Sequence, residues 1–133
     1  MITLRTLELL TTAMLLKKNR VNKKLFELIL QKGKFINSSN LSFKFFNDKN
    51  TSLPHLSFVV PKVITKSAVK RNFLRRRGYI ILGKYLKDIP DSLAGIFFFN
   101  KNSLELFGGR KNKEYNGAQN LENEIKFILN KIY

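Results

Sequence analysis

The sequence predicts an α+β domain, with helices packed on one small mixed sheet. Three observations lead there. Helical and strand periodicities follow one another in the order α, β, β, α, β, α, with room for one further short strand before the second helix. A chain of 133 residues that is 44% hydrophobic and holds 12 Phe can fill one modest core, and is too apolar for a disordered tail. There is no cysteine, so neither disulfides nor thiolate zinc can stand in for that core.

Each element has its own justification. Residues 1–13 are mildly apolar but interrupted by Arg5 and Glu8, and no basic segment precedes a clean apolar block. They read as a disordered extension or a mis-assigned start rather than a signal peptide, which leaves 14–133 as the domain. Residues 23–32 place Leu25, Leu28 and Ile29 at helical spacing, and Gly33 stands where a helix would stop. Phe26 and Leu30 lie on an adjoining strip, as core or as partly exposed contact residues. Residues 41–46 alternate as a strand, with Leu41, Phe43 and Phe45 on one face and Ser42, Lys44 and Phe46 on the other. The polar stretch 47–54 then suits an antiparallel hairpin to a strand over 55–60, closed by Pro61. His55, the single histidine, is expected at the surface.

The second helix begins after Ser67, a good N-cap, and runs to about Asp88. At 100° per residue, Val69, Phe73, Leu74, Ile80, Ile81 and Tyr85 fall within one arc of about 160°. Val69, Phe73 and Ile80 are therefore expected to hold the helix to the sheet, with Lys70 and Arg77 snorkelling from the same arc. Arg71, Asn72, Arg75, Arg76 and Tyr79 fall together opposite. Gly78 in mid-helix costs about 1 kcal/mol relative to Ala, and marks either a close approach or a kink. Residues 94–99 form a continuous apolar run, hence a strand covered on both faces; residues 101–117 read as a loop. Asn120–Ile132 closes the chain as a helix, with Glu122 and Glu124 at the favourable end of its dipole.

Charge bounds the partners. Net charge is +16, and no acidic residue occurs between Asp48 and Asp88. Between Pro61 and Tyr79 stand Lys62, Lys66, Lys70, Arg71, Arg75, Arg76 and Arg77. A merely solvated face is a poor reading of this segment, because like charges at i,i+4 repel with no acid interleaved. Guanidinium forks at helical spacing suit phosphate oxygens, and Asn72 adds a donor and an acceptor for a 2′-hydroxyl or base edge. Catalytic constellations are missing: there is no His pair and no phosphate-binding loop, and the nine acids form no cluster with a base. A metal-dependent nuclease acting alone is thereby disfavoured, and no apolar run is long enough to span a bilayer.

Val69-Lys-Arg71-Asn72-Phe-Leu-Arg75-Arg76, with Lys62 and Lys66 before it and the strand Ser57-Phe-Val-Val60, resembles the signature of the bacterial ribonuclease P protein component. Leu16-Lys-Lys-Asn19-Arg20-Val and Phe26-Glu-Leu-Ile-Leu-Gln-Lys-Gly33 resemble that family's start. The resemblance spans roughly residues 14–100, with a terminal helix in the expected place. The family's Arg-Asn-Arg trio reads Arg71-Asn72-Phe73 here, and a further family Arg is Tyr79. Position 73 falls on the apolar arc, so Phe73 is expected in the core; Tyr79 keeps its place on the basic arc, where an aromatic can stack on a base or an Arg plane.

The resemblance implies the small subunit of a ribonucleoprotein endonuclease that removes the 5′ leader from precursor tRNA. The RNA subunit would carry the catalytic site and use Mg²⁺, the protein binding no cofactor and offering no catalytic or metal-ligating residue. Lys62, Lys66, Lys70, Arg71, Asn72, Arg75, Arg76 and Tyr79 would bind the catalytic RNA. Phe26, Leu30, Ser42, Lys44 and Phe46 would line a groove for the leader, with weaker stacking at Leu30, where relatives can carry a second aromatic. A left-handed crossover around the basic helix is also implied; the absence of cysteine suits a cytoplasmic protein, and a monomer is expected. The competing reading is a small basic ribosomal or RNA-scaffold protein, which shares the charge but not the groove.

Overall fold

The computed structural model describes residues 19–49, 51, 53–100 and 117–132. The 1–13 extension, and the predicted loop up to its last residue, lie outside them. Helix α1 (Lys23–Lys32) leads into strand β1 (Lys34–Asn37), β2 (Leu41–Asn47) and β3 (His55–Val59). Helix α2 (Ala68–Tyr85) ends in a 3₁₀ turn (Leu86–Asp88), and β4 (Leu93–Phe99) and α3 (Gly117–Ile132) follow. The result is a four-stranded mixed sheet with three helices, an α+β domain of the predicted class. Among the described residues, no helix is long and apolar enough to cross a membrane.

The sheet order is β1-β2-β4-β3. β4 runs antiparallel to β2 and parallel to β3, with Phe97 opposite Phe43 on one side and Phe58 on the other. The hairpin expected between 41–46 and 55–60 does not form. β4 is buried at every position except Phe98, and a strand apolar on both faces is best covered with a neighbour on each side. It therefore inserts between β2 and β3, and the Asp48 amide donates to Ser92 O (2.6 Å), tying the end of β2 to the entry of β4. β2 takes its hairpin partner from upstream, pairing with β1 from Lys34↔Phe45 to Asn37↔Ser42. β1 has mostly exposed side chains and no alternation to betray it.

One face of the sheet carries a stack of rings. Phe43 and Phe97 lie 4.2 Å apart between centroids, Phe97 and Phe58 4.9 Å, and Phe58 and Phe99 5.4 Å. α2 and α3 cover this face with Leu74, Ile81 and Leu82, and with Leu121, Ile125, Ile128 and Leu129. Gly95 makes room for the stack: a Cβ there would fall 2.3 Å from the Phe43 ring. The opposite face is covered by α1, whose Leu25 and Ile29 meet Ala94 and Ile96. α1 starts on an Asn22 cap, which accepts from the Leu25 amide (2.8 Å).

The acids of α3 hold neighbouring elements as well as sitting early in the helix. Glu124 accepts from Ser38 Oγ (2.5 Å), the Asn40 amide (2.7 Å) and Asn40 Nδ2 (3.1 Å), so one carboxylate closes the β1–β2 turn. Glu122 accepts from Tyr85 Oη (3.1 Å) and pairs with Lys84 at 3.5 Å, joining α3 to α2. Replacing Glu124 with alanine is expected to cost about 1–3 kcal/mol, since it strands three donors at a half-buried turn. Chemical denaturation would read the loss, and Glu124→Gln, which keeps one acceptor oxygen, should recover part of it.

Candidate nucleic-acid interface

The basic helix is set in place by its start and by its buried side. Ile64 N bonds Pro61 O (3.0 Å) in the turn after β3, and Ser67 Oγ caps the helix by accepting from the Lys70 amide (3.3 Å). Leu74, Gly78, Ile81 and Leu82 are the buried residues of α2. Gly78 is a close approach: a Cβ there would lie 2.6 Å from the Phe58 ring. The helix docks around this glycine, so its buried side is rotated from the centre of the apolar arc. Val69, Phe73 and Ile80, expected to hold the helix to the sheet, are instead 78%, 43% and 43% exposed. The expectation that Phe73 is core is likewise corrected. Hydropathy places the centre of an apolar arc; a glycine against an aromatic ring places the contact.

The rotation shapes the basic side. Asn72, Arg75, Arg76 and Tyr79 line one cleft of about 340 Å³, together with Arg20 from the segment before α1. The Arg20 guanidinium lies 4.2 Å from the Tyr79 ring centroid, and Tyr79 meets Phe58 edge-on at 5.5 Å. The Tyr79 hydroxyl accepts from the Phe58 amide (3.4 Å). Tyr79 is therefore a wall of the cleft with an Arg plane on its ring. Arg75 Nη2 donates to Asn72 Oδ1, which fixes the guanidinium over the cleft. Three arginines line this space, and α2 bears no carboxylate. A mobile polyanion fits it better than any side chain of the helix.

The remaining predicted residues separate. Lys62, Lys66 and Arg71 line a second hollow, of about 490 Å³, with Val63. Arg71 Nη1 donates to Thr65 O (3.0 Å), so part of its fork braces the loop before α2. Lys70 is exposed and lines neither space. Arg20 was not among the predicted site residues. It stands in a stretch quoted for the family resemblance, but no spacing in the sequence links it to a tyrosine 59 positions later.

On the other face of the sheet, Ser42, Lys44 and Phe46 do share one side of β2, toward α1. Phe26, Phe46, Val59 and Phe98 pack, partly buried, around the Leu25–Ile29–Ala94–Ile96 cluster. Phe26 is thus half core and half surface, and Leu30 is 42% exposed. Lys44 Nζ donates to Leu30 O (2.5 Å) and lies 5.0 Å from the Phe35 ring centroid, so it also satisfies a carbonyl at the end of α1. Phe98 and Val59 join this cluster without having been singled out; a run apolar on both faces gave no reason to choose them. Val21 N donates to Ser57 Oγ (2.9 Å), which pins the segment before α1 to β3. That one segment therefore borders both surfaces. Among the described residues, no group of three His, Asp or Glu could hold a metal ion.

A basic helix crossing between β3 and β4, over a mixed sheet whose other face is covered by α1, is an architecture shared with solved RNase P proteins. Solved structures agree on the fold. The Thermotoga maritima RNase P protein matches with a TM-score of 0.71 at 21% identity, covering 86% of this chain and 97% of that one. A Staphylococcus aureus RNase P protein mutant with defective mRNA degradation activity matches at 0.72 and 18%, covering 98% and 97%. Another Staphylococcus aureus RNase P protein structure gives 0.69 and 17%, covering 86% and 94%. No curated protein matches the sequence. The family model for Ribonuclease P matches residues 15–131, and the chain belongs to that family, as a bacterial ribonuclease P protein component.

Proposed function

We propose that this chain is the RNA-binding protein subunit of a ribonuclease P that removes 5′ leaders from precursor tRNA, the partner RNA carrying both the cleavage chemistry and its Mg²⁺. Family membership implies the RNA partner. The observation that supports the mode of binding is the cleft of Arg20, Asn72, Arg75, Arg76 and Tyr79 on a helix without acids. Forked guanidiniums bond two phosphate oxygens each, so the cleft takes the backbone of the catalytic RNA, with Lys62, Lys66 and Arg71 extending the track. The 5′ leader lies on the other side, along Phe26, Leu30, Ser42, Lys44 and Phe46, where exposed aromatic edge and one lysine suit a single strand. The protein itself contributes no catalytic residue, and acts as a monomer.

Reconstitution tests this directly. Pre-tRNA cleavage by the cognate RNA at low Mg²⁺ should rise sharply when the protein is added, and the absence of stimulation would sink the proposal. A photo-crosslinker at position 26 should capture the leader of a pre-tRNA within the ternary complex. A scaffold protein without a processing role predicts no such adduct.

A further inference from the structure

α2 presents three sides, and one of them has no role so far. The buried side centres on Gly78, and the cleft side carries Asn72, Arg75, Arg76 and Tyr79. On the third, Val69, Phe73 and Ile80 fall within about 40° of one another at 100° per residue. They are 78%, 43% and 43% exposed. Arg77 holds its guanidinium 4.6 Å from the Phe73 ring centroid. By the same helical geometry Lys70 and Lys84 lie on the Arg77 border of this strip, and Arg76, a cleft residue, forms its other border. Contiguous exposed apolar side chains rimmed by polar residues are a common mark of an interaction site.

We infer that this strip is a second RNA contact: a shelf on which unpaired bases stack, centred on Phe73 and Arg77. The inference rests on the reading that the neighbouring cleft takes RNA phosphates, and adds how the same strand is held beside it. Whatever covers the strip must offer apolar faces and negative charge within one or two helical turns, because cations border it and no acid lies on the helix. A second copy of a chain with net charge +16 offers the wrong sign. Single-stranded RNA offers flat apolar bases with a phosphate for each. Bases stack on aromatic rings and on guanidinium planes alike, and Phe73 with Arg77 presents both. With Arg76 between them, a strand crossing the helix can leave phosphates in the cleft and lay bases on the strip.

The test compares the full-length wild type with Phe73→Ala, Phe73→Leu and Phe73→Tyr across a salt series. Each is titrated against its RNase P RNA and against a short single-stranded oligoadenylate. Phe73 is half exposed, so all four should melt alike by circular dichroism. The expected result is binding roughly 5- to 150-fold weaker for the Ala and Leu variants. The salt slope should be unchanged, because no phosphate contact is lost, and Phe73→Tyr should restore affinity. Equal affinities of wild type and Phe73→Ala on both RNAs would overturn the inference. So would rescue by Leu, which means apolar packing rather than stacking. A Phe73-dependent dimer in sedimentation, or Phe73-dependent capture of an acidic protein with RNA affinity untouched, would do the same. If wild type ignores RNase P RNA while oligoadenylate binding still depends on Phe73, the proposed function falls and the shelf stands.

Discussion

Replacing Arg75 and Arg76 together with alanine is expected to weaken binding to RNase P RNA by about a hundredfold or more, and to lower the salt dependence as well. The magnitude follows from two charge-assisted contacts at about 1.5–3 kcal/mol each. Each phosphate contact also contributes somewhat under one unit to the slope of log K against log salt, so removing two should lower it by roughly 1.5–2 units. Both arginines line the cleft with Arg20, Asn72 and Tyr79. Arg71→Ala gives a less clean result, because Arg71 also bonds Thr65 O, so its loss slackens the approach to α2. A matched pair on α3, Lys126→Ala with Lys131→Ala, removes the same charge away from the cleft and should leave the slope nearly unchanged. If both double variants lower the slope equally, binding follows net charge and the cleft has no special part in it.

Gly78→Ala should destabilise the fold, although alanine is the better helix former by about 1 kcal/mol. The two effects oppose each other, so the sign of the change decides between them. The added Cβ would fall 2.6 Å from the Phe58 ring. That ring cannot swing aside, since Phe97 stacks against it, Phe99 packs on it at a tilt and Tyr79 meets its edge. Overpacking of this kind costs typically 1–3 kcal/mol. Gly78→Val should cost more and lower the melting temperature by roughly 10 °C. Because α2 would be levered away from β3, Gly78→Val should also open the cleft and weaken RNA binding, in proportion to the helix displacement rather than to any lost charge. A more stable Gly78→Ala would mean that the approach to Phe58 is not a real constraint.

The elements of this protein other than β1 were legible from periodicity, whereas their arrangement was only partly so. α1, α2 and the strands over 41–47, 55–59 and 93–99 follow from where apolar residues recur. The pairing of β2 with β3 was misread because proximity in sequence favours hairpins, and periodicity carries no information about neighbours. The clue lay in 94–99, whose two-sided apolar run demanded a central place in the sheet. On α2, an arc of about 160° was wider than the helix could bury. Gly78 chose which part went inside, and a residue with no side chain leaves no mark on a hydropathy plot. Hence Val69, expected to hold the helix to the sheet, stands in water, and Phe73, expected in the core, is half exposed. Asn72, Arg75, Arg76 and Tyr79 came together as the helical layout implied, whereas Arg20 is a tertiary neighbour and no sequence distance announces it.

The central position of β4 also has a consequence in time. Phe58 has no stacked ring, and Phe43 only its strand neighbour Phe45, until Phe97 exists, and β4 begins about 40 residues after β3 does. At bacterial rates of about 5–20 residues per second, that interval lasts roughly 2–8 s. Within it the β1–β2 hairpin can form, though a lone hairpin is marginal in water. α2 emerges during the same interval, with its arginines assembled and no scaffold beneath them. A nascent chain of this protein therefore offers its polyanion-attracting segment before it owns a sheet. Arrival of the last strand closes the core and orients that segment in a single event.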